Sequence, residues 1–213
     1  MTSSVPAWEN PKSGPPRSPE LVQDRAVRTR AQVLLAAARH FAGSGFRGAS
    51  VKDVADEAGV TKGAVYFHFV NKEALAIAVV EEHYARWPAL LNELQAEDLS
   101  PLDTAVEMLN RAALAFRDDI VVQAGARLQI ERSLIDAPLP TPYQGWTDLL
   151  SDLLTKARDE GQLRPGVDPH AAARVLVSGF FGAQHISETL HHRADLLDRW
   201  NEMRDLLTSA IRA

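Results

Sequence analysis

Residues 50–72 read SVKDVADEAGVTKGAVYFHFVNK and predict two short helices joined by a glycine turn. Ser50 is a favourable N-cap residue, and Asp53 is placed to reach back to the Ser50 N–H as a short-armed capping box. Apolar residues follow at helical spacing, so one face of the first helix is buried. Gly59 stands where the chain must turn in the left-handed conformation, which costs glycine least.

The second half of this stretch predicts another helix with a polar and basic outer surface. Thr61 is placed to cap a helix from Lys62 to about Phe69, and Asn71 to cap a third helix that starts at Lys72. Val60 is expected to point inward between the helices. A helix, a glycine turn and a second helix with a basic face are typical of the helix-turn-helix that reads DNA.

The distribution of charge supports a nucleic-acid partner for this end of the chain. The net charge is −5, yet residues 25–72 carry eight Lys and Arg against three acidic residues. Residues 73–213 carry 13 basic and 22 acidic residues. A basic segment favours binding to the phosphates of a nucleic acid, and an acidic remainder limits non-specific binding of the rest of the chain.

Composition also excludes several classes of protein. The chain has no Cys, which rules out disulfides and thiolate chemistry. No apolar run reaches the length of a membrane span, and the start lacks a secretory signal, so we expect a cytoplasmic protein with no membrane partner. His185, Glu188 and His191 or His192 have a spacing that could gather a metal, but such residues more often form a solvated surface. We expect no cofactor and no metal.

The rest of the sequence predicts helices and no strand, hence an all-α fold. Residues 1–23 are rich in Pro, Ser and Gly and predict a flexible tail. Residues 24–72 predict a three-helix DNA-binding domain whose first helix runs from Arg25 to about Ser44. Residues 73–213 predict a larger helical domain. Its helices are expected at 71–88, 100–117, 120–135, 143–160, 170–190 and 194–211, with Pro88 ending or bending the first.

Two helices near the C-terminus predict a dimer. The segment 175–183 is apolar on nearly every side, and its glycines allow another helix to approach closely. The final helix adds a second apolar stripe. A single helix-turn-helix reads few base pairs alone, so a homodimer on a pseudo-palindromic DNA operator is expected.

Three stretches of the sequence resemble the DNA-binding domain of the TetR family of repressors. They are ADEAGV (55–60), Gly63 with VYFHF (65–69), and NKEAL (71–75). The resemblance implies that Lys62, Gly63 and Ala64 meet base edges in the major groove. It also implies phosphate contacts, for which the candidates are Thr29, Ser50, Lys52, Thr61, Tyr66, His68 and Lys72. Tyr66 and His68 could instead pack the domain, as Val65, Phe67 and Phe69 are expected to do.

The middle of the chain resembles the branch of this family that senses small diffusible hormones in antibiotic-producing bacteria. The similarity lies in AGARLQIE (124–131), Asp136, Leu139–Pro140, Pro142–Tyr143 and Gly145–Trp146. It implies that residues 73–213 form a ligand-binding and dimerisation domain and that the ligand is of the γ-butyrolactone, furan or butenolide type. The candidate ligand-binding residues combine apolar walls with a few polar groups: Tyr84, Leu109, Gln129, Tyr143, Trp146 and Phe180.

Other functions stay open at this point. The aromatic residues could simply fill a core, which would give a repressor without a ligand. A multidrug sensor that controls an efflux pump would share the DNA-binding domain, although the low aromatic content of 7% disfavours a large aromatic pocket. No arrangement of catalytic residues stands out, so an enzyme is not expected.

Overall fold

The computed structural model describes the backbone of residues 19–213 and the side chains from residue 23 onward, and this part of the chain is helical. Its helices are α1 (Pro19–Gly48), α2 (Val51–Glu57), α3 (Lys62–His68), α4 (Lys72–Gln95), α5 (Pro101–Asp118), α6 (Ile120–Ile130), α7 (Gln144–Asp159), α8 (Pro169–His191) and α9 (Leu196–Ile211). A 3-10 turn at Arg132–Leu134 follows α6. The all-α prediction is confirmed for the described residues, whose pairing outside helices is an isolated bridge between Leu163 and Arg212.

The predicted turns and caps of the helix-turn-helix are confirmed. The Ser50 side chain accepts the Asp53 N–H, Thr61 accepts the Ala64 N–H, and Asn71 accepts the Ala74 N–H. Gly59 has φ +66° in the turn between α2 and α3. One detail of the expected capping box is wrong, because the Asp53 carboxylate accepts from the Ser50 hydroxyl at 2.6 Å rather than from its N–H.

The first helix begins earlier than predicted. It starts at Pro19, so residues 19–23 belong to α1 and not to a flexible tail. Proline is favourable in the first turn of a helix because its missing N–H would have no partner there. The remainder of the predicted tail lies outside the described residues. At its other end α1 is interrupted at Gly45, with φ +70°, close to the predicted end at Ser44.

Two predicted helix ends need correction, since α4 does not end at Pro88 and α6 does not reach Ile135. The fourth helix runs through Pro88 to Gln95, since Trp87 and Leu94 on either side are buried in the core. That packing outweighs the single backbone hydrogen bond which Pro88 cannot make. The sixth helix ends at Ile130, and the chain tightens into the 3-10 turn before the proline-rich loop.

Two hydrophobic cores place the functional surfaces. The first joins α1, α2, α3 and the first half of α4, and it also takes in Val121, Ala124 and Leu128 of α6. The second joins the C-terminal half of α4 with α5, α7, α8 and α9. Tyr84 packs against both cores. Helix α6 therefore contacts the DNA-binding end directly, which the division at residue 72 did not anticipate.

No single described helix is long and apolar enough to cross a membrane. Helices α3 and α4 meet that length and composition only as a pair, and they are bent by 61° at the break between them.

Candidate DNA interface and ligand cavity

The exposed face of α3 carries the residues predicted to meet DNA. Thr61 caps the helix, and Lys62, Gly63 and Tyr66 are exposed, while Ala64 and His68 are half-buried. A groove of about 480 Å³ runs between the start of α1 and α3. It brings together four of the predicted DNA-binding residues: Thr29, Thr61, Ala64 and His68.

The three lysines predicted to contact DNA, Lys52, Lys62 and Lys72, do not line this groove. The Lys72 ammonium lies over the Phe46 ring, 4.5 Å from its centroid, and the Lys62 ammonium is 5.8 Å from the Tyr66 ring centroid. Lys52 forms an exposed ion pair with Asp56 at 2.7 Å. The hydrogen bond to the Asp56 carboxylate and the charge of that carboxylate raise the Lys52 pKa above its ordinary value. Exposed pairs exchange readily with water, so Lys52 stays available to a phosphate.

The expectation that Phe67 packs the domain is wrong. Its side chain is 80% exposed, whereas Val65 and Phe69 are buried as predicted. Helical geometry explains the difference, because Val65 and Phe69 are four residues apart and share one face. Phe67 lies two positions from each of them and therefore points to the other side. The sequence spacing contained this signal, and it adds an exposed aromatic residue to the DNA-facing surface.

The polar centre of the candidate ligand cavity is the Gln129 side chain on α6. Gln129 is 6% exposed, and its Nε2 donates to the Tyr84 hydroxyl at 3.1 Å and to the Pro140 carbonyl at 3.3 Å. The partners of this buried amide are thus the Tyr84 hydroxyl and the Pro140 carbonyl. The Gln129 Oε1 atom is buried and has no hydrogen-bond partner among the residues that the structure describes. A buried acceptor left free in this way favours a donor group that could reach it.

Aromatic side chains enclose this polar centre. The cavity has a volume of about 20 Å³, and Tyr84, Gln129, Tyr143 and Trp146 line it together. His83, Phe116, Phe181 and Gln184 also line it, and sequence reasoning missed them. The neighbours Phe180 and Phe181 could not be told apart in a helix that is apolar on most sides. Leu109 and Phe180 are fully buried in the second core and line none of the cavities described in this section.

Tyr143 separates this cavity from a larger groove on the surface. It precedes α7 with φ +67°, an uncommon left-handed conformation for a residue other than glycine, and its side chain is 43% exposed. The Tyr143 ring lies 4.7 Å from that of Phe181. The outer groove, of about 500 Å³, shares Ile130, Tyr143, Phe181 and Gln184 with the inner cavity. Tyr143 was expected inside a helix beside Trp146, and it instead occupies the N-cap position.

Burial shifts two titratable groups at the cavity. It raises the pKa of the Tyr84 hydroxyl above its ordinary value, with the Tyr143 hydroxyl adding to the effect. Burial, followed by the nearby Arg86 charge, lowers the pKa of His83 to about 4. Both side chains are consequently neutral near pH 7, and the cavity offers neutral hydrogen-bonding groups.

The His-rich end of α8 lies beside charged side chains. The Arg193 guanidinium lies 2.7 Å from the Glu188 carboxylate, and His191 lies 3.6 Å from Asp195. Within the described residues, no group of three His, Asp or Glu side chains is arranged to hold a metal.

The helix-turn-helix on a separate helical body defines a bacterial DNA-binding regulator, and comparison with known families agrees. Residues 33–79 match the family "Bacterial regulatory proteins, tetR family". Residues 100–212 match "Tetracyclin repressor-like, C-terminal domain". The chain belongs to the TetR family of bacterial regulatory proteins, and it is a regulator rather than an enzyme.

Individual relatives cover most of the chain. It is 36% identical over 188 residues to the A-factor receptor protein of Streptomyces griseus, a match covering 88% of this chain and 65% of that protein. The chain thus spans just under two thirds of that relative. A solved structure described as "Molecular basis for control of antibiotic production by a bacterial hormones" is 63% identical, with a TM-score of 0.84, over 88% of this chain and 99% of that one. CprB from Streptomyces coelicolor, solved in complex with its operator, is 29% identical with a TM-score of 0.79, over 88% of this chain and 90% of that one.

Proposed function

We propose that this chain is a homodimeric repressor that binds a pseudo-palindromic operator and is released by a small diffusible signalling molecule. The molecule is of the γ-butyrolactone, furan or butenolide type, and the genes controlled are those of antibiotic biosynthesis. The protein acts in the cytoplasm, where its DNA lies. The observation that carries the proposal is the hydrogen-bonded pair of Tyr84 and Gln129 inside an aromatic cavity between the two cores.

The side chains that line the cavity have the chemistry to bind a small oxygen-containing ring. The amide of Gln129 and the hydroxyls of Tyr84 and Tyr143 supply a few directed hydrogen bonds, and aromatic walls supply the rest. An apolar groove of about 400 Å³ adjoins it and shares Tyr84 and Trp146 with it. That groove offers room for an alkyl chain beside the ring.

Binding requires the aromatic walls to move. The inner cavity of about 20 Å³ has room for little more than a water molecule. Cavities that bury small organic ligands usually measure roughly 300 Å³ or more. Tyr143 and Phe181, which divide the cavity from the outer groove, are the side chains placed to open it. The ligand thereby stabilises another arrangement of the same helices, and its preference for that arrangement supplies the energy of release.

The relatives support this ligand class. They include a protein named as the A-factor receptor and a structure described as a gamma-butyrolactone receptor that is 26% identical, with a TM-score of 0.68. The efflux-pump alternative has weaker support. The repressor of a multidrug efflux pump, SmeT, is 24% identical and shares the fold alone.

The proposal is tested by fluorescence anisotropy of a labelled operator taken from DNA upstream of the gene. The DNA is saturated with protein and titrated with alkyl-bearing γ-butyrolactones, furans and butenolides. Release by one of these classes at micromolar concentration or below is the expected result. Tight binding without release by any of them would contradict the proposed ligand while leaving DNA binding intact.

Two matched tyrosine variants separate the two sites. Tyr143→Phe removes one hydroxyl but keeps the ring beside Phe181, so release should weaken by about tenfold while operator affinity is unchanged. Tyr66→Phe should do the reverse, weakening operator binding without altering release. If Tyr143→Phe responds like the wild type, its hydroxyl is not a ligand contact.

A further inference from the structure

Two charged side chains of α6 hold the end of α1. The Arg127 guanidinium donates to the carbonyls of Ala42 at 2.8 Å and Gly43 at 2.9 Å. The Glu131 carboxylate accepts the Phe46 N–H at 2.6 Å through Oε2 and the Arg127 Nε–H at 3.0 Å through Oε1. The pair therefore satisfies backbone groups on both sides of the interruption of α1, where helical partners are missing.

The backbone of α1 is shaped to admit the Glu131 carboxylate. Gly45 has φ +70°, and a Cβ at this position would overlap the Glu131 carboxylate oxygens. Glycine adopts this conformation at the least cost, and a larger residue would also have to displace the Glu131 carboxylate. The hydrogen bond between the Phe46 N–H and the Glu131 carboxylate joins residues 85 positions apart in the sequence.

Phe46, which donates its N–H to Glu131, also contacts the predicted DNA-binding residue Lys72. The Lys72 ammonium lies 4.5 Å from the centroid of the Phe46 ring, and Phe46 is the residue whose N–H the Glu131 carboxylate accepts. Lys72 is the first residue of α4 and a candidate phosphate donor. Displacing Phe46 would consequently remove the ring on which this cation rests.

The opposite side of α6 faces the ligand cavity. Gln129 and Ile130, which line that cavity, immediately precede Glu131, and Glu131 itself is the C-cap residue of the helix. A hydrogen bond weakens steeply when its length or angle changes. A small rotation or shift of the last turn of α6 is therefore sufficient to break the bond from the Phe46 N–H.

We infer that Glu131 is a positioning residue, which holds the DNA-binding domain in its operator-binding orientation through the Phe46 N–H and gives up this contact when the cavity is filled. The release step rests on the proposed function, whereas the positioning step does not. Arg127 keeps the carboxylate in place by pairing with its other oxygen.

The test compares Glu131→Ala with a matched control, Glu107→Ala. Glu107 and Arg111 form an ion pair with the same four-residue spacing and the same 3.0 Å distance, but both belong to α5 and their other polar partners are Asn110, Glu93 and Glu97. Operator Kd is measured by fluorescence anisotropy with and without saturating alkyl γ-butyrolactone, furan or butenolide. Circular dichroism melts establish that each variant is folded.

Glu131→Ala should weaken operator binding by about tenfold without any small molecule, the size expected for a lost hydrogen bond to a charged group. The ratio of Kd with and without the releasing molecule should fall by a similar factor. Glu107→Ala should leave both quantities at the wild-type values. Equal ratios in the wild type and Glu131→Ala would overturn the inference.

A second measurement decides the positioning step when no probe releases even the wild type. Hydrogen exchange of the Phe46 amide should be faster in Glu131→Ala than in the wild type or the control. Glu131→Gln, which keeps an acceptor, should fall between them, and it replaces the alanine variant if that one does not fold. Unchanged exchange together with unchanged operator affinity would overturn the inference independently of the ligand.

Discussion

At the scale of single residues, the contact between Gly125 on α6 and His83 on α4 brings the two helices unusually close. A Cβ on Gly125 would overlap the Cβ and Cγ atoms of His83. The His83 ring in turn packs edge-on against Trp87 and Phe116, with centroids 5.3 Å and 6.1 Å away. The glycine therefore fixes how α6 lies against the helix that joins the two cores.

Substitution of this glycine should lower stability. Gly125→Ala is expected to destabilise the protein by about 1–3 kcal/mol, because the added methyl group forces His83 or the backbone to shift. Gly145→Ala is the control, since no atom lies within 4 Å of the Cβ it would add. Chemical denaturation of both variants measures the difference. Equal stability of Gly125→Ala and the wild type would show that the helices separate without cost.

Burial of His83 should make stability depend on pH. Its pKa is about 4 in the folded protein against an ordinary value of 6.5, so the unfolded chain binds this proton more tightly. The contribution of neutral His83 to the free energy of unfolding is complete above pH 6.5 and is lost as the pH falls toward 4. Between pH 7 and pH 5 the loss is about 2 kcal/mol.

Thermal or denaturant unfolding at the two pH values measures this effect. His83→Gln should reduce the loss between pH 7 and pH 5, because the side chain no longer takes up a proton. His170→Gln is the matched control at an exposed histidine and should behave as the wild type. A wild-type pH profile in His83→Gln would show that His83 titrates normally in the folded state.

At the scale of elements, α3 divides its seven residues between the core and the DNA. Val65 is buried, and Lys62, Tyr66 and Phe67 are exposed on the other side. Such a short helix is marginal alone, so its orientation depends on that anchor and on the Thr61 cap.

The exposed residues of α3 and α4 should have separable effects on operator binding. Lys62→Ala should relax base choice, because its ammonium is predicted to donate to guanine O6 and N7. Lys72→Ala should lower affinity for all sequences alike, since a phosphate contact carries no sequence information. Anisotropy on the operator and on base-substituted variants distinguishes the two results. A preserved sequence preference in Lys62→Ala would remove Lys62 from base reading.

Phe67→Ala tests whether the exposed Phe67 side chain takes part in DNA binding. The side chain is 80% exposed, so the variant should keep its thermal stability while losing operator affinity. A loss of stability with unchanged affinity would instead assign Phe67 to packing.

At the scale of the whole molecule, α8 and α9 present apolar side chains to the outside. On α8, Val175, Ile186 and Leu190 are 53%, 46% and 60% exposed and lie along one stripe of the helix. Leu206 on α9 is 72% exposed. Exposed apolar surface of this kind on two neighbouring helices fits the proposed homodimer.

A charge on this stripe should dissociate the dimer. The wild type is expected to show a dimeric mass by light scattering at micromolar concentration. Ile186→Glu should shift the mass toward the monomer and weaken operator binding, because each half-site contact would stand alone. Leu114→Glu, at an exposed leucine of α5, is the control and should remain dimeric. A monomeric wild type would contradict the dimer outright.

Local sequence determined the helix-turn-helix almost completely. The Ser50, Thr61 and Asn71 caps and the left-handed Gly59 are set by neighbouring backbone atoms, so they could be predicted without the rest of the chain. The amide of Gln129, once buried, also needs a hydrogen-bond partner. Its partner could not be inferred from spacing alone, because Tyr84 lies 45 residues away.

The sequence by itself therefore determined the all-α class, the helix-turn-helix and four of the residues that line the candidate cavity, since these depend on residue types and short-range periodicity. Tertiary structure decided which of Phe180 and Phe181 reaches the cavity, that Phe67 is exposed, and that Pro88 lies inside a continuous helix. It also decided that the Glu131 carboxylate accepts the Phe46 N–H. Each of these depends on contacts between residues far apart in the chain, where packing energy overrides local preference.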